Sequence, residues 1–326
     1  MSNVKGIEIH DLFGLSEPLK KLIETVSGGI GKLYEPVHIK RMAKAEAEEI
    51  KIIGEKISDF NALPIKYDSG KVIIDGMDYS ELAKRAKDRL VFQELKKQNN
   101  IENVVNYAAQ DLSKEKVVSE QPVDIDWVTR FFDSVSDISS EDMQRIWGKI
   151  LAGEVKEPGS FSLRTLQVIK NINKDEALLF EKIAPFVMSC YTDKEKTFFD
   201  SFLFRFRGSI TNKCGIYFTD IMRLYDAGLL CVSDFIRVGF ELMPKEKDCF
   251  FGYGKKIEVT NVGKKNFKIL YSAYILTEAG KELLPIILLG KSTSTVKRYF
   301  EDCCNEIQKA TGKNCKMEVV DCEADK

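Results

Sequence analysis

The stretch SSEDMQRIWGKILAGE, Ser139–Glu154, places one of the chain's two tryptophans inside a helical pattern. Met143, Ile146, Trp147, Ile150 and Leu151 recur at three- and four-residue steps, which gathers them on one helical face. Ser139 followed by Asp142 is a capping-box-like start, and Gly153 is a stop. Trp147 therefore reads as core rather than as a ligand contact. Gly148 either lets another element pack close or costs the helix about 1 kcal/mol.

Neighbouring segments repeat this arrangement. Asp124 caps a helix with Ile125, Val128, Phe131, Phe132 and Val135 on one side. Ser160 or Ser162 starts a third helix, carrying Leu163, Leu166, Ile169 and Ile172. Asn173 with Glu176 starts a fourth, with Leu178, Phe180, Ile183 and Val187. These four capped helices predict a compact module over residues 122–192.

Before that module, Leu15, Leu19, Leu22, Ile23, Val26, Ile30 and Leu33 form an amphipathic stripe. Gly28 and Gly29 predict a kink or a close contact. The run SGGIGK is not a phosphate loop, because Val26 holds the first glycine position and Leu33 follows Lys32. A long helix is expected over Pro36–Phe60, a hairpin over LPIKYDSGKVIIDG, and a second long helix over Tyr79–Leu112, interrupted near Asn99–Asn100. Residues 1–121 thus read as an amphipathic helix followed by a helical hairpin or stalk bearing a small β-hairpin.

From residue 193 the texture changes. FLFRFRG, LCVSDFIRVGFELM, KKIEVTNV and FKILYSAYIL have strand character, and IYFTDIMRLYDAGLL and LTEAGKELLPII read as helices. Helix, strands with a basic turn, then helix is a winged-helix order over 193–290, strengthened by the DAGLL and LTEAGKELL pair. Residues 291–326 form a small α/β tail whose strand KMEVVD packs on that domain or extends a sheet edge. The expected class is mainly α with an α+β C-terminal part.

Composition narrows the chemistry. Lys plus Arg (49) nearly cancels Asp plus Glu (50), so no global field recruits nucleic acid or an anionic membrane. Only His10 and His38 exist among 326 residues, which argues against His-dependent triads and HExxH metal sites. All 8 cysteines follow residue 189, a distribution that suits free buried thiols rather than a disulfide framework. The tail cysteines lack a CxxC knuckle. No export signal opens the chain and no apolar run is long enough to span a membrane, so a cytoplasmic location is expected. No catalytic, cofactor or metal constellation emerges.

Two surfaces remain as candidates. Lys255, Lys256, Lys264, Lys265 and Lys268, with Arg223 on the preceding helix, would ride a phosphate backbone if they shared one wing. Asp220 and Asp226 beside Arg223 oppose that use. The stripe Leu15, Leu19, Leu22, Ile23, Val26, Ile30, Leu33 would serve self-association or a membrane surface.

KLIETVSGGIGKLYEPVHIKRMAKAEAEEIK, FQELKKQNNIENVVNYAAQDL and the segment from Asp124 to Ile183 together resemble a bacterial domain-of-unknown-function family, over roughly residues 14–190. The tryptophan segment also resembles, more loosely, the abortive-infection alpha-type proteins of phage resistance. That resemblance implies a bacterial cytoplasmic protein in anti-phage defence. The expected function is a non-enzymatic interaction or adaptor protein, with a protein partner or a second copy as ligand. The alternatives are a nucleic-acid-binding regulator or sensor and a membrane-acting effector.

Overall fold

The computed structural model describes residues 16–30, 65–68, 71–74, 77–78, 80–191, 199–205, 210–252, 254–287 and 294–321. They form two compact units, Met1–Ser160 and Phe161–Lys326. The expected helix over Pro36–Phe60, and residues Leu15 and Leu33, lie outside the described residues.

The first unit contains helices α1 (Glu17–Ile30), α2 (Ser80–Leu112), α3 (Ile125–Val135) and α4 (Glu141–Lys156). A three-stranded antiparallel sheet comprises β1 (Ile65–Asp68), β2 (Lys71–Ile74) and β3 (Met77–Asp78), one strand more than the expected hairpin. Helix α3 is capped as expected, the Asp124 carboxylate accepting from the Trp127 amide at 2.9 Å. Helix α4 departs from expectation at both ends. Its cap is Ser140 without a side-chain bond, and it runs through Gly153 to Lys156.

The core of this unit joins Val104, Ala108 and Leu112 of α2 to Phe131 and Val135 of α3 and to Trp147, Ile150 and Leu151 of α4. Trp147 is fully buried and meets Phe131 edge-on at 5.4 Å. Gly148 settles its own reading. A Cβ there would lie 2.5 Å from Tyr107 Cβ and 3.1 Å from the Ala108 nitrogen, so the glycine lets α2 and α4 cross in near-backbone contact.

Gly29 lets side chains of α3 pack onto the backbone of α1. An added Cβ would fall 2.2 Å from Val128 Cγ1, and α1 continues through both glycines to Ile30. The expected break at Asn99–Asn100 does not occur, and α2 is one helix of 33 residues. Asn100 is buried with both ends of its amide engaged: Nδ2 donates to Ser136 O at 2.7 Å and Oδ1 accepts from Gln144 Nε2 at 3.2 Å.

The second unit begins with α5 (Leu163–Asn171) and α6 (Lys174–Ile183). Asn173 and Glu176 make the predicted reciprocal capping box at 3.0 Å in each direction. Because the boundary falls after Ser160, α3 and α4 belong with the first unit and α5 and α6 with the second.

A large antiparallel sheet follows, with order β11-β9-β8-β4-β5-β10-β6 and β7 on β10. Its strands are β4 (Met188–Tyr191), β5 (Phe199–Phe204), β6 (Leu230–Cys231), β7 (Arg237–Leu242), β8 (Lys247–Gly252), β9 (Lys255–Asn261), β10 (Phe267–Leu276) and β11 (Cys315–Asp321). The described helices interleaved with it are α7 (Ile210–Lys213), α8 (Phe218–Asp226), α9 (Glu278–Ile287) and α10 (Ser294–Thr311).

Strand β10 serves two neighbourhoods: Phe267–Ser272 pair with β7, and Ala273–Leu276 pair with β5 and β6. Phe202, Phe204, Phe240 and Phe250 fill the space between, with ring centroids 4.9–6.1 Å apart. The tail strand joins the sheet as its edge, in register with β9 from Cys315↔Asn261 to Asp321↔Lys255.

The DAGLL and LTEAGKELL motifs meet physically. Thr277 Oγ1 donates to Gly228 O at 2.7 Å, and the Thr277 amide donates to Leu229 O at 3.0 Å. Gly280 sits so close that a Cβ would lie 2.4 Å from Leu229 O. Both glycines are thus explained, Gly228 by its φ of +77° and Gly280 by the approach of a backbone oxygen.

Candidate functional site

The lysines read as one basic turn do not occupy one turn. Lys255 and Lys256 open β9, whereas Lys264 and Lys265 lie beyond its far end, about 20 Å away at strand rise. Sequence proximity misled here because the seven-residue strand that starts with the first pair carries the chain away before the second. Lys256 is also matched, its Nζ lying 2.7 Å from Glu258, whose carboxyl it holds below the usual range. Exposed Lys268 stands directly across from Glu241 of β7. Lys264 and Lys265 remain exposed, and Arg223 is exposed on α8.

The N-terminal stripe is divided. Leu22 and Val26 are buried inside the first unit, with Leu19, Ile23 and Ile30 half-buried. The middle of this face is therefore core of its own unit. Close by, Lys21 donates to Ser119 O at 2.7 Å, and burial lowers its pKa against the opposing pull of Glu154. A groove of about 550 Å³ runs beside it, bordered by Glu17, Lys20, Glu24, Thr25, Lys116 and Ile125. Charges of both signs line it.

Helix α8 shows what the sequence reading missed. Ile221 and Leu224 are buried, as a core stripe requires, but Phe218 and Tyr225 are 58% and 44% exposed. With half-buried Met222 they stand at i, i+4 and i+7, a second apolar stripe on the same helix. Tyr217, just before the helix, is 55% exposed. Counting apolar residues by period could not separate the two stripes, since both repeat at helical spacing.

The described cysteines are free. Cys190 and Cys303 are buried, and burial pushes the Cys190 thiol up to about 12 and the Cys303 thiol well above its ordinary value. These thiols pack rather than react. Among the described residues no group of three His, Cys, Asp or Glu side chains could hold a metal, and no helix is long and apolar enough to cross a membrane.

These features define an α+β protein with a helical unit and an antiparallel-sheet unit, whose unexplained surface features are apolar stripes and scattered lysines. The chain belongs to the family described as Protein of unknown function (DUF2806), whose model matches residues 84–302. The match begins within α2 and ends within α10, so it leaves out α1 and takes in most of the sheet, unlike the span of about 14–190 expected from the sequence. No curated protein and no solved structure matches the chain.

Proposed function

We propose that this is a non-enzymatic interaction protein, acting through protein–protein contacts made by α8. The observation that carries the reading is the solvent-facing stripe Phe218, Met222, Tyr225, with Tyr217 and Arg223 exposed on the same segment. Aromatic residues and arginine dominate binding hot spots. Asp220 and Asp226 on this helix oppose a phosphate backbone, so a protein is the better partner. The order helix α8, strands β6 to β10, helix α9, closed by the Thr277–Gly228 bond, supports a winged-helix-like reading of this part, used for docking.

The test is capture of partners from the source cells on immobilised full-length protein. The wild type should retain a discrete protein, and Phe218→Ala/Tyr225→Ala, checked for fold by circular dichroism, should lose it. Equal retention by the variant would overturn the reading. The proposed setting is cytoplasmic anti-phage defence, which rests on the resemblance of the Trp147 segment to abortive-infection proteins. Plating efficiency of phages on expressing cells checks it: protection by wild type and none by the α8 variant is the expected outcome.

A second reading, a nucleic-acid-binding regulator, draws on exposed Lys264, Lys265 and Lys268 at one end of the sheet. A gel shift at low salt that charge reversal of these residues removes would favour it. No shift with wild type would end it.

A further inference from the structure

We infer that β11 is a self-complementary edge through which two copies of the chain pair their sheets antiparallel, centred on Met317. This deepens the interaction reading by naming one partner, a second copy.

Strand β11 terminates the large sheet, and among the described residues only β9 pairs with it. Its other edge presents main-chain donors and acceptors at alternate residues, the Cys315 carbonyl there accepting from Gln308 Nε2 at 3.0 Å. Such edges are usually blunted by proline, a bulge, extreme shortness or charge; CKMEVVD has no proline and pairs in unbroken register with β9, and its exposed charges Lys316 and Glu318 are of opposite sign. Val319 and Val320 remain 41% and 37% exposed on opposite faces of the strand.

Charge selects the occupant. A two-fold pairing that continues the sheet must place residues of one face opposite residues of the same face. Lys316, Glu318 and Val320 share one face, and Cys315, Met317 and Val319 share the other. Centring on Lys316 or on Glu318 sets like charges against each other. Centring on Met317 sets Lys316 against Glu318 of the second copy, twice by symmetry. The same register faces Val319 with Cys315 of the second copy. Within one chain Lys316 and Glu318 already pair at 2.5 Å while both stay exposed, so their partners can be exchanged without unburying charge.

Sedimentation equilibrium of the full chain tests this. Wild type should give twice the 37.1 kDa chain mass. Lys316→Glu turns two attractive pairs into two repulsive ones and should raise the dimer dissociation constant by about tenfold or more. The swap Lys316→Glu/Glu318→Lys should restore it, which also shows that the single variant was not merely misfolded. A monomeric wild type, an unchanged dimer in Lys316→Glu, or no rescue by the swap would overturn the inference. Phe218→Ala/Tyr225→Ala should leave the dimer intact. If that variant dissolves it and Lys316→Glu does not, the edge proposal fails and the α8 surface stands.

Discussion

Asn100 and Asn261 are both buried asparagines, one in each unit, and they hold their surroundings in different ways. Asn100 sits in mid-helix and reaches sideways, tying α2 to the end of α3 and to Gln144, which itself donates to Ile138 O at 2.8 Å. Asn261 closes β9 and serves only backbone: it donates to Leu242 O and Lys265 O, each at 2.9 Å, and accepts from the Gly263 amide at 2.9 Å. A helical unit has its main chain already paired, so its buried amide links side chain to loop. A sheet unit has turns whose backbone groups need partners, and one amide can supply several. Trp147 is the contrasting case, a buried indole N–H with no partner among the described residues.

The largest expected effect comes from that contrast. Trp147→Ala should cost the first unit about 3–5 kcal/mol by leaving a cavity. Trp147→Phe should cost much less, since the phenyl ring refills most of the space that alanine leaves empty. Denaturant titration followed by circular dichroism measures both, and equal losses would mean that the volume left empty does not set the cost. Asn261→Ala should follow at about 3 kcal/mol, because three backbone groups lose their partner together. Asn100→Ala should cost about 2 kcal/mol, fewer groups being stranded. The reverse order would break the distinction between the two amides. Both tryptophans lie in the first unit, so their fluorescence follows Asn100→Ala directly.

Smaller effects separate the units further. Thr277→Val keeps the volume but removes the bond to Gly228 O, and should cost about 1 kcal/mol. Alkaline pH should weaken the second unit through Cys190 and Tyr271, each pushed up to about 12 by burial. A raised value in the folded state means that the fold binds more protons than the unfolded chain. The stability so gained is whole below the ordinary thiol range and is lost as pH climbs toward about 12. Thermal melts at rising pH should show this decline, and Cys190→Ala should shallow it.

Much of the architecture was legible in residue patterns. The cap at Asp124, the reciprocal box of Asn173 and Glu176, and strand β10 over Phe267–Leu276 follow from local chemistry that few other arrangements satisfy. Strands β4 and β8 were missed, because MSCY and KDCFFG are short and lack alternation that stands out from their flanks. The interruption expected in α2 was wrong for an instructive reason. Asparagine is a weak helix former only when its side chain competes for nearby backbone, and here that side chain is occupied elsewhere. The candidate surfaces were less legible: neither the division of the lysines between two ends of a strand nor the exposed stripe on α8 could be read from the sequence.

By itself the sequence determined the local elements, the core role of Trp147 and the poverty of histidine chemistry, because each depends on residues a few positions apart or on simple counts. Tertiary structure alone decided that Gly148 and Gly29 mark helix crossings, and that DAGLL and LTEAGKELL lock together. It also decided that Phe218 and Tyr225 face solvent while Ile221 and Leu224 do not. Periodicity reports that a face is apolar. Whether that face is covered depends on elements brought to it from far along the chain.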